Sequence, residues 1–204
     1  SLHEAGHAVI GLKLEDANEV HKITIIPRGM AGGYTMMLPK EEKIAIATKN
    51  ELLASITGLL GGRVSEELYF GEISTGASDD FSKATKIARS MVTEYGMSDL
   101  GPVQLEHKEE GVFLGRDYNK TRNFSDAVAL EIDEEVRKIV NECYKKATKI
   151  LKDNKDLVML LSNTLIEKET ITKEEIDELV KTGKLSSKEE KQTENKEETI
   201  KEEK

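Results

Sequence analysis

Near its start the chain reads His3-Glu4-Ala5-Gly6-His7, and no other stretch constrains the fold as tightly. Side chains at i and i+4 lie one above the other on a single helix face. A helix over 2–13 therefore points both imidazoles the same way. Both can then reach one metal ion at about 2.0–2.1 Å. Glu4 projects beside that face and can meet a water on the metal without ligating it. Gly6 weakens the helix, which fits a place that something must approach closely. Val9 and Ile10 mark the helix as buried, and buried polar groups need partners. Two stacked core histidines beside a glutamate are costly without a cation, so metal binding outweighs a packing role.

The rest of the chain is read from periodicity and punctuation. Residues 20–29 are rich in β-branched side chains and end in Pro-Arg-Gly, and 32–39 are bounded by Gly32-Gly33 and Pro39. These predict a short hairpin or two strands. Residues 41–70 read as helix, with Ile44, Leu52, Leu53, Ile56, Leu59, Leu60, Val64 and Leu68 on the apolar side. Gly58, Gly61 and Gly62 predict close packing or a kink within it. A loop over 71–78 follows, with Ser78 as N-cap of a helix from Asp79 to about Tyr95 that Gly96 can end. The stretch 97–124 reads as irregular. Ser125 caps a long helix to about Asp153, a further helix covers about 156–168, and Thr172 with Glu175 forms a capping box for a last helix closed by Gly183. The expectation is a mainly α domain over 1–183 with a small hairpin or sheet near the site, and a disordered tail over 184–204.

Composition narrows the function. Net charge is −9, and the tail's six lysines and seven glutamates leave −8 to the body. An acidic body argues against a nucleic-acid partner. No run of 18 apolar residues exists, so no segment reads as membrane-spanning and the chain reads as soluble. The single cysteine, Cys143, excludes an internal disulfide framework and reads as a small core residue on a helix.

His-Glu-x-x-His is the pattern of zinc peptidases, and catalytic zinc takes three protein ligands. The pattern that places glycine and a third histidine further along the same segment fails, because Ile10 and Lys13 stand there. His21 and His107 lie in a strand and an irregular stretch and read as surface residues. The carboxylates Glu66, Glu67, Asp79 and Asp80 remain as candidates, and residue type alone does not separate them.

"HEAGHAVIG", "HKITIIPRG", "GGYTMMLP", "GGRVSEELYFG", "STGASDDFSKAT", "ARSMVTEYGMS" and "VFLGR" occur in this order. Together, from about Leu2 to about Val180, they resemble the peptidase domain of the FtsH family of ATP-dependent zinc metalloproteases. The resemblance implies zinc, one per chain, held by His3, His7 and Asp80, with Glu4 as general base. The family has asparagine where this chain has Asp79. The resemblance also implies a membrane anchor and an AAA+ ATPase module ahead of this point, a homo-hexameric ring, and unfolded, damaged or tagged polypeptides as substrates. The peptidase part would face the cytoplasm or an organelle interior. The chain opens inside a helix without methionine and holds no phosphate-binding loop, so it reads as a C-terminal portion that hydrolyses no ATP itself. Gly33, Tyr34, Thr35 and Met36 can offer a strand edge to an extended substrate, or belong to an ordinary buried hairpin. The competing class is a ring-forming interaction module with structural zinc, whose site a fourth protein ligand would close.

Overall fold

The structure is a computed structural model and describes residues 1–27, 29, 32–39, 46–106 and 124–185. Its elements run α1 (Leu2–Lys13), β1 (Glu19–Thr24), β2 (Tyr34–Leu38), α2 (Lys49–Tyr69), α3 (Ser78–Thr93), α4 (Asp126–Asp153), α5 (Lys155–Lys168), β3 (Thr170–Thr172) and α6 (Lys173–Thr182). This is the mainly helical architecture, with a small sheet, that the periodicities predict.

Helix α1 is the axle. Ala5, Ala8, Val9 and Ile10 are fully buried, and each large side chain so buried contributes about 1.5–3 kcal/mol. One apolar cluster joins them to Val20 and Ile23 of β1, Val158, Leu161 and Leu165 of α5, and Ile176 and Leu179 of α6. A second cluster packs α2, α3 and α4 through Leu60, Ala88, Met91, Ile132 and Ile139. Cys143 lies in that second cluster, as expected of a small core residue. The two clusters meet where α1 crosses α2. At that crossing a Cβ on Gly6 would lie 2.4 Å from the Gly61 carbonyl oxygen, and one on Gly61 would lie 2.8 Å from Ile10 Cδ1. Only glycine at both positions lets the backbones approach so closely.

The sheet has three antiparallel strands in the order β2-β1-β3, one more than the hairpin expected. The third is Thr170–Thr172. Thr24 Oγ1 meets Thr170 Oγ1 at 2.7 Å and donates to the Glu169 carbonyl at 3.1 Å. Pairing shifts register between Val20 and Lys22, so His21 is the extra residue of a β-bulge. Among the described residues β2 has a partner on one side only.

Several boundaries differ from expectation. Helix α2 begins at Lys49, not 41, because Thr48 and Glu51 form a reciprocal capping box. Residues 46–48 are not helical, and Ile44 lies outside the described residues. Ser78 is not a cap but the first residue of α3, since a 3-10 turn at Thr75–Ala77 feeds the helix directly. That helix ends at Thr93, and Gly96 turns the chain with φ +60°. Ser125 caps α4 as expected, accepting from Val128 N–H at 3.4 Å. The capping box of Thr172 and Glu175 and the left-handed Gly183 bound α6. His107, the "VFLGR" stretch and all but the first two residues of the tail lie outside the described residues.

Candidate metal centre

The two histidines of α1 converge as their spacing requires. Their rings lie 4.7 Å apart and 79° from coplanar, with the two Nε2 atoms at 3.0 Å. Asp80, in the first turn of α3, brings Oδ2 to 3.3 Å from His3 Nε2 and 3.4 Å from His7 Nε2. Three donors held at about 2.0–2.1 Å by one tetrahedral zinc are about 3.3–3.4 Å apart. The observed triangle of 3.0, 3.3 and 3.4 Å matches that geometry. Among the described residues these three are the group of His, Cys, Asp and Glu side chains that could hold a metal ion. Among the described residues no fourth side chain joins the group.

The tautomers point the same way. His7 Nδ1 donates to the Gly58 carbonyl at 2.8 Å, and His3 Nδ1 lies 3.1 Å from Glu66 Oε1. Both oxygens are acceptors, so each Nδ1 carries the proton and each Nε2 is left with a lone pair. Two such lone pairs and a carboxylate oxygen then face one another across little more than 3 Å. Only a cation or an added proton relieves that repulsion. The metal-free balance records it. Burial works against charge on Asp80, yet the adjacent imidazoles of His3 and His7, once they take up a proton, hold the carboxyl well below the usual carboxylate range. Burial likewise works against a charged His3, but Asp80, Glu4 and Glu66 together push its pKa up. The donor set fits zinc by geometry, by tautomer and by charge.

The neighbouring carboxylates separate cleanly. Asp79 turns outward, its side chain 76% exposed and paired with Lys83 at 2.6 Å. Glu67 accepts from the Tyr144 hydroxyl. Glu66 does not join the triangle; besides His3 it accepts from Ser74 Oγ at 3.2 Å. A carboxylate on the far nitrogen fixes the ring's orientation and raises its basicity as a ligand. His21 sits apart, 3.1 Å from Glu19 Oε2. Gly62 forms the floor of the site: a Cβ there would lie 2.5 Å from His3 Nε2 and 2.6 Å from His7 Nε2. The family resemblance already set Glu66 behind Asp80 as a supporting group, and the glycines of α2 predicted close packing; what the sequence did not show is that Gly62 packs against both rings and that the Gly58 carbonyl accepts from His7.

Glu4 is 9% exposed and borders a cleft of about 900 Å³ that His3, His7, Asp80, Gly33, Tyr34 and Thr35 also line. Its Oε2 accepts from Thr35 Oγ1 at 2.8 Å. Of the four strand residues singled out by sequence, Gly33, Tyr34 and Thr35 face this cleft, while Met36 is not part of its lining and is 42% exposed. Met37 lines the cleft instead.

The sequence profile described as peptidase family M41 matches residues 1–179. The chain belongs to peptidase family M41. Curated relatives carry the name ATP-dependent zinc metalloprotease FtsH. The one from Acholeplasma laidlawii is 61% identical over 183 residues, which is 90% of this chain and 28% of that protein. The one from Bacillus subtilis is 55% identical over 185 residues, 90% of this chain and 29% of its own length. The one from Alkalihalophilus pseudofirmus is 58% identical over 185 residues, with 90% and 27% covered. The chain thus spans less than a third of the length of these relatives. The M41 match runs from before His3 to within α6, so it takes in both apolar clusters and the whole sheet.

Proposed function

We propose that this chain is the zinc endopeptidase part of an ATP-dependent protease, with one zinc held by His3, His7 and Asp80. The observation that carries the reading is the triangle of donor atoms with 3.0–3.4 Å edges, beside a buried glutamate at an open cleft. Zinc bound there supplies Lewis acidity, lowering the pKa of a water toward about 7 and polarising a carbonyl. Glu4 takes the proton from the attacking water and returns it to the leaving amine nitrogen. Glu66 and the Gly58 carbonyl hold the two imidazoles in the tautomer that leaves Nε2 free. The outer edge of β2, which pairs with no other strand among the described residues, receives the substrate as an added extended strand, with Gly33, Tyr34 and Thr35 at the cleft.

The relatives' names and the short share of their length covered here support further parts of the reading. An ATPase module and a membrane anchor lie elsewhere in the complete protein, which assembles as a hexamer and degrades unfolded, damaged or tagged proteins. No described helix is long and apolar enough to cross a membrane. Residues 1–183 form the peptidase domain, and 184–204 a charged tail.

The test combines metal analysis with hydrolysis of an unfolded protein. The purified protein holds about one zinc per chain, and a chelator abolishes cleavage. The variant Glu4→Gln keeps the zinc and loses cleavage. Zinc retained in a protein that never cleaves an unfolded chain, even in its complete form, would favour the interaction-module reading instead.

A further inference from the structure

We propose that Thr35 is a positioning residue that aims the carboxylate of Glu4. This rests on the reading of Glu4 as the proton-transferring group and goes beyond it. The sequence marked Thr35 only as part of a substrate strand. In the structure its hydroxyl lies 2.8 Å from Glu4 Oε2 and 3.2 Å from the Glu4 carbonyl oxygen. A hydroxyl carries one proton. The shorter contact, to the side-chain carboxyl oxygen, is the stronger claim on it. Gly33 closes the other side: a Cβ there would lie 3.2 Å from both Cγ and Oε1 of Glu4, and 2.6 Å from the Thr24 carbonyl oxygen. The glutamate side chain is therefore held by a donor on β2, Thr35, and packed against Gly33, just ahead of that strand.

The support for this hold is rigid. Thr35 pairs in register with Ile23, which is fully buried, and Tyr34 pairs with Thr24, itself tied to Glu169 and Thr170. A glutamate has three side-chain torsions, and free in an open cleft it would sample many of them. One donated hydrogen bond selects the rotamers with the carboxylate turned into the cleft. A misplacement of about 1 Å at a reacting group costs on the order of 100-fold in rate.

Two conservative variants separate this role from others. Thr35→Val keeps the shape and the strand preference but removes the hydroxyl, whereas Thr35→Ser keeps the hydroxyl. With a short unfolded-type peptide as substrate, Thr35→Val should lower kcat about 10- to 100-fold, with KM and zinc content unchanged. Thr35→Ser should restore most of kcat. A loss confined to KM would assign Thr35 to substrate binding and overturn the proposal. Equal losses in Val and Ser variants would overturn it too, as would a Val variant with unchanged kcat.

A second readout needs no activity. In the metal-free protein, Thr35→Val should lower the urea midpoint more in a wild-type background than in a Glu4→Ala background, where the hydroxyl keeps only the backbone carbonyl of residue 4 as acceptor. Additive shifts would mean that the two side chains do not interact, and the proposal falls. Should the wild type cleave nothing while the midpoints are non-additive, the function reading fails and the Thr35–Glu4 contact stands.

Discussion

The absence of a side chain at position 62 should matter as much as the ligands themselves. The perturbation is Gly62→Ala, one methyl group added to the middle of α2. Its Cβ would lie 2.5 Å from both Cε1 and Nε2 of His3 and 2.6 Å from Nε2 of His7, where ordinary contact is 3.4–4 Å. Both rings must then retreat by about 1 Å, five times the roughly 0.2 Å that a metal site tolerates in its bond lengths. Without metal the rings can swing aside into the cleft. Binding zinc forces them back against the methyl, at an overpacking strain of about 1–3 kcal/mol. That strain converts to zinc affinity weakened roughly 5- to 150-fold. Competition with a chromophoric chelator measures it directly. Gly58→Ala is the control one turn earlier: nothing lies within 4 Å of its added Cβ. It should leave zinc affinity unchanged and stabilise the helix by up to about 1 kcal/mol. If Gly62→Ala binds zinc as tightly as wild type, the packing of both rings on α2 is wrong, and with it the ligand geometry.

The other predictions concern the same centre. Asp80→Ala should abolish stoichiometric zinc, Glu66→Ala should weaken it about 10- to 100-fold, and Asp79→Ala should leave it intact; zinc lost from the Asp79 variant alone would reverse the assignment. In the metal-free protein the raised pKa of His3 gives stability that is present below its ordinary 6.5 and lost as pH rises, while the lowered pKa of Asp80 gives stability present above 3.8 and lost as pH falls. The pair thus supports the metal-free fold most between about pH 4 and 6.5, and protons compete with zinc there. The rise in Tm on adding zinc should therefore be small near pH 5.5 and grow toward pH 8; a rise that shrinks over that range would contradict the ligand set. Finally, the chain should cleave unfolded polypeptides without ATP and spare a stable folded protein, because nothing in the reaction supplies the about 5–15 kcal/mol that unfolding requires. Gel-based degradation of a matched folded and unfolded pair reads this out, and ATP-accelerated digestion of the folded member by this chain alone would refute it.

What was legible in the sequence was whatever depends on local spacing. The i, i+4 histidines define α1, and caps at Ser125, Thr172 and Gly183 bound helices that the structure contains. Thr48 and Glu51 held the same kind of signal, and an apolar count that included Ile44 obscured it. The proposed third ligand was of another kind. Asp79 and Asp80 are equal in charge and adjacent in sequence, and only the approach of α3 to α1 turns one inward and the other toward Lys83. Residue type could not separate them; the family resemblance pointed to Asp80. Glu66 offered itself as a ligand by type, whereas tertiary packing places it behind His3. Strand β3 is three residues long between two helices, too short to leave a pattern of its own, and it exists because β1 presents an edge to it.

That last strand has a consequence for the order in which the molecule is made. Thr24 and Thr170 touch across 146 positions of sequence, so a ribosome delivers the histidines and the glutamate long before the strand that steadies β1. At about 5–20 residues per second the interval is roughly 7–30 s. Over its last 90 residues, from Asp80 to Thr170, the nascent chain already carries His3, Glu4, His7 and Asp80 but lacks the far side of the sheet on which β2 rests. The proposed protease centre would thus stay unfinished while its own unfolded polypeptide is still emerging beside it. The same wiring means that losing a few residues near position 170 would disarm the centre without touching a single one of its side chains.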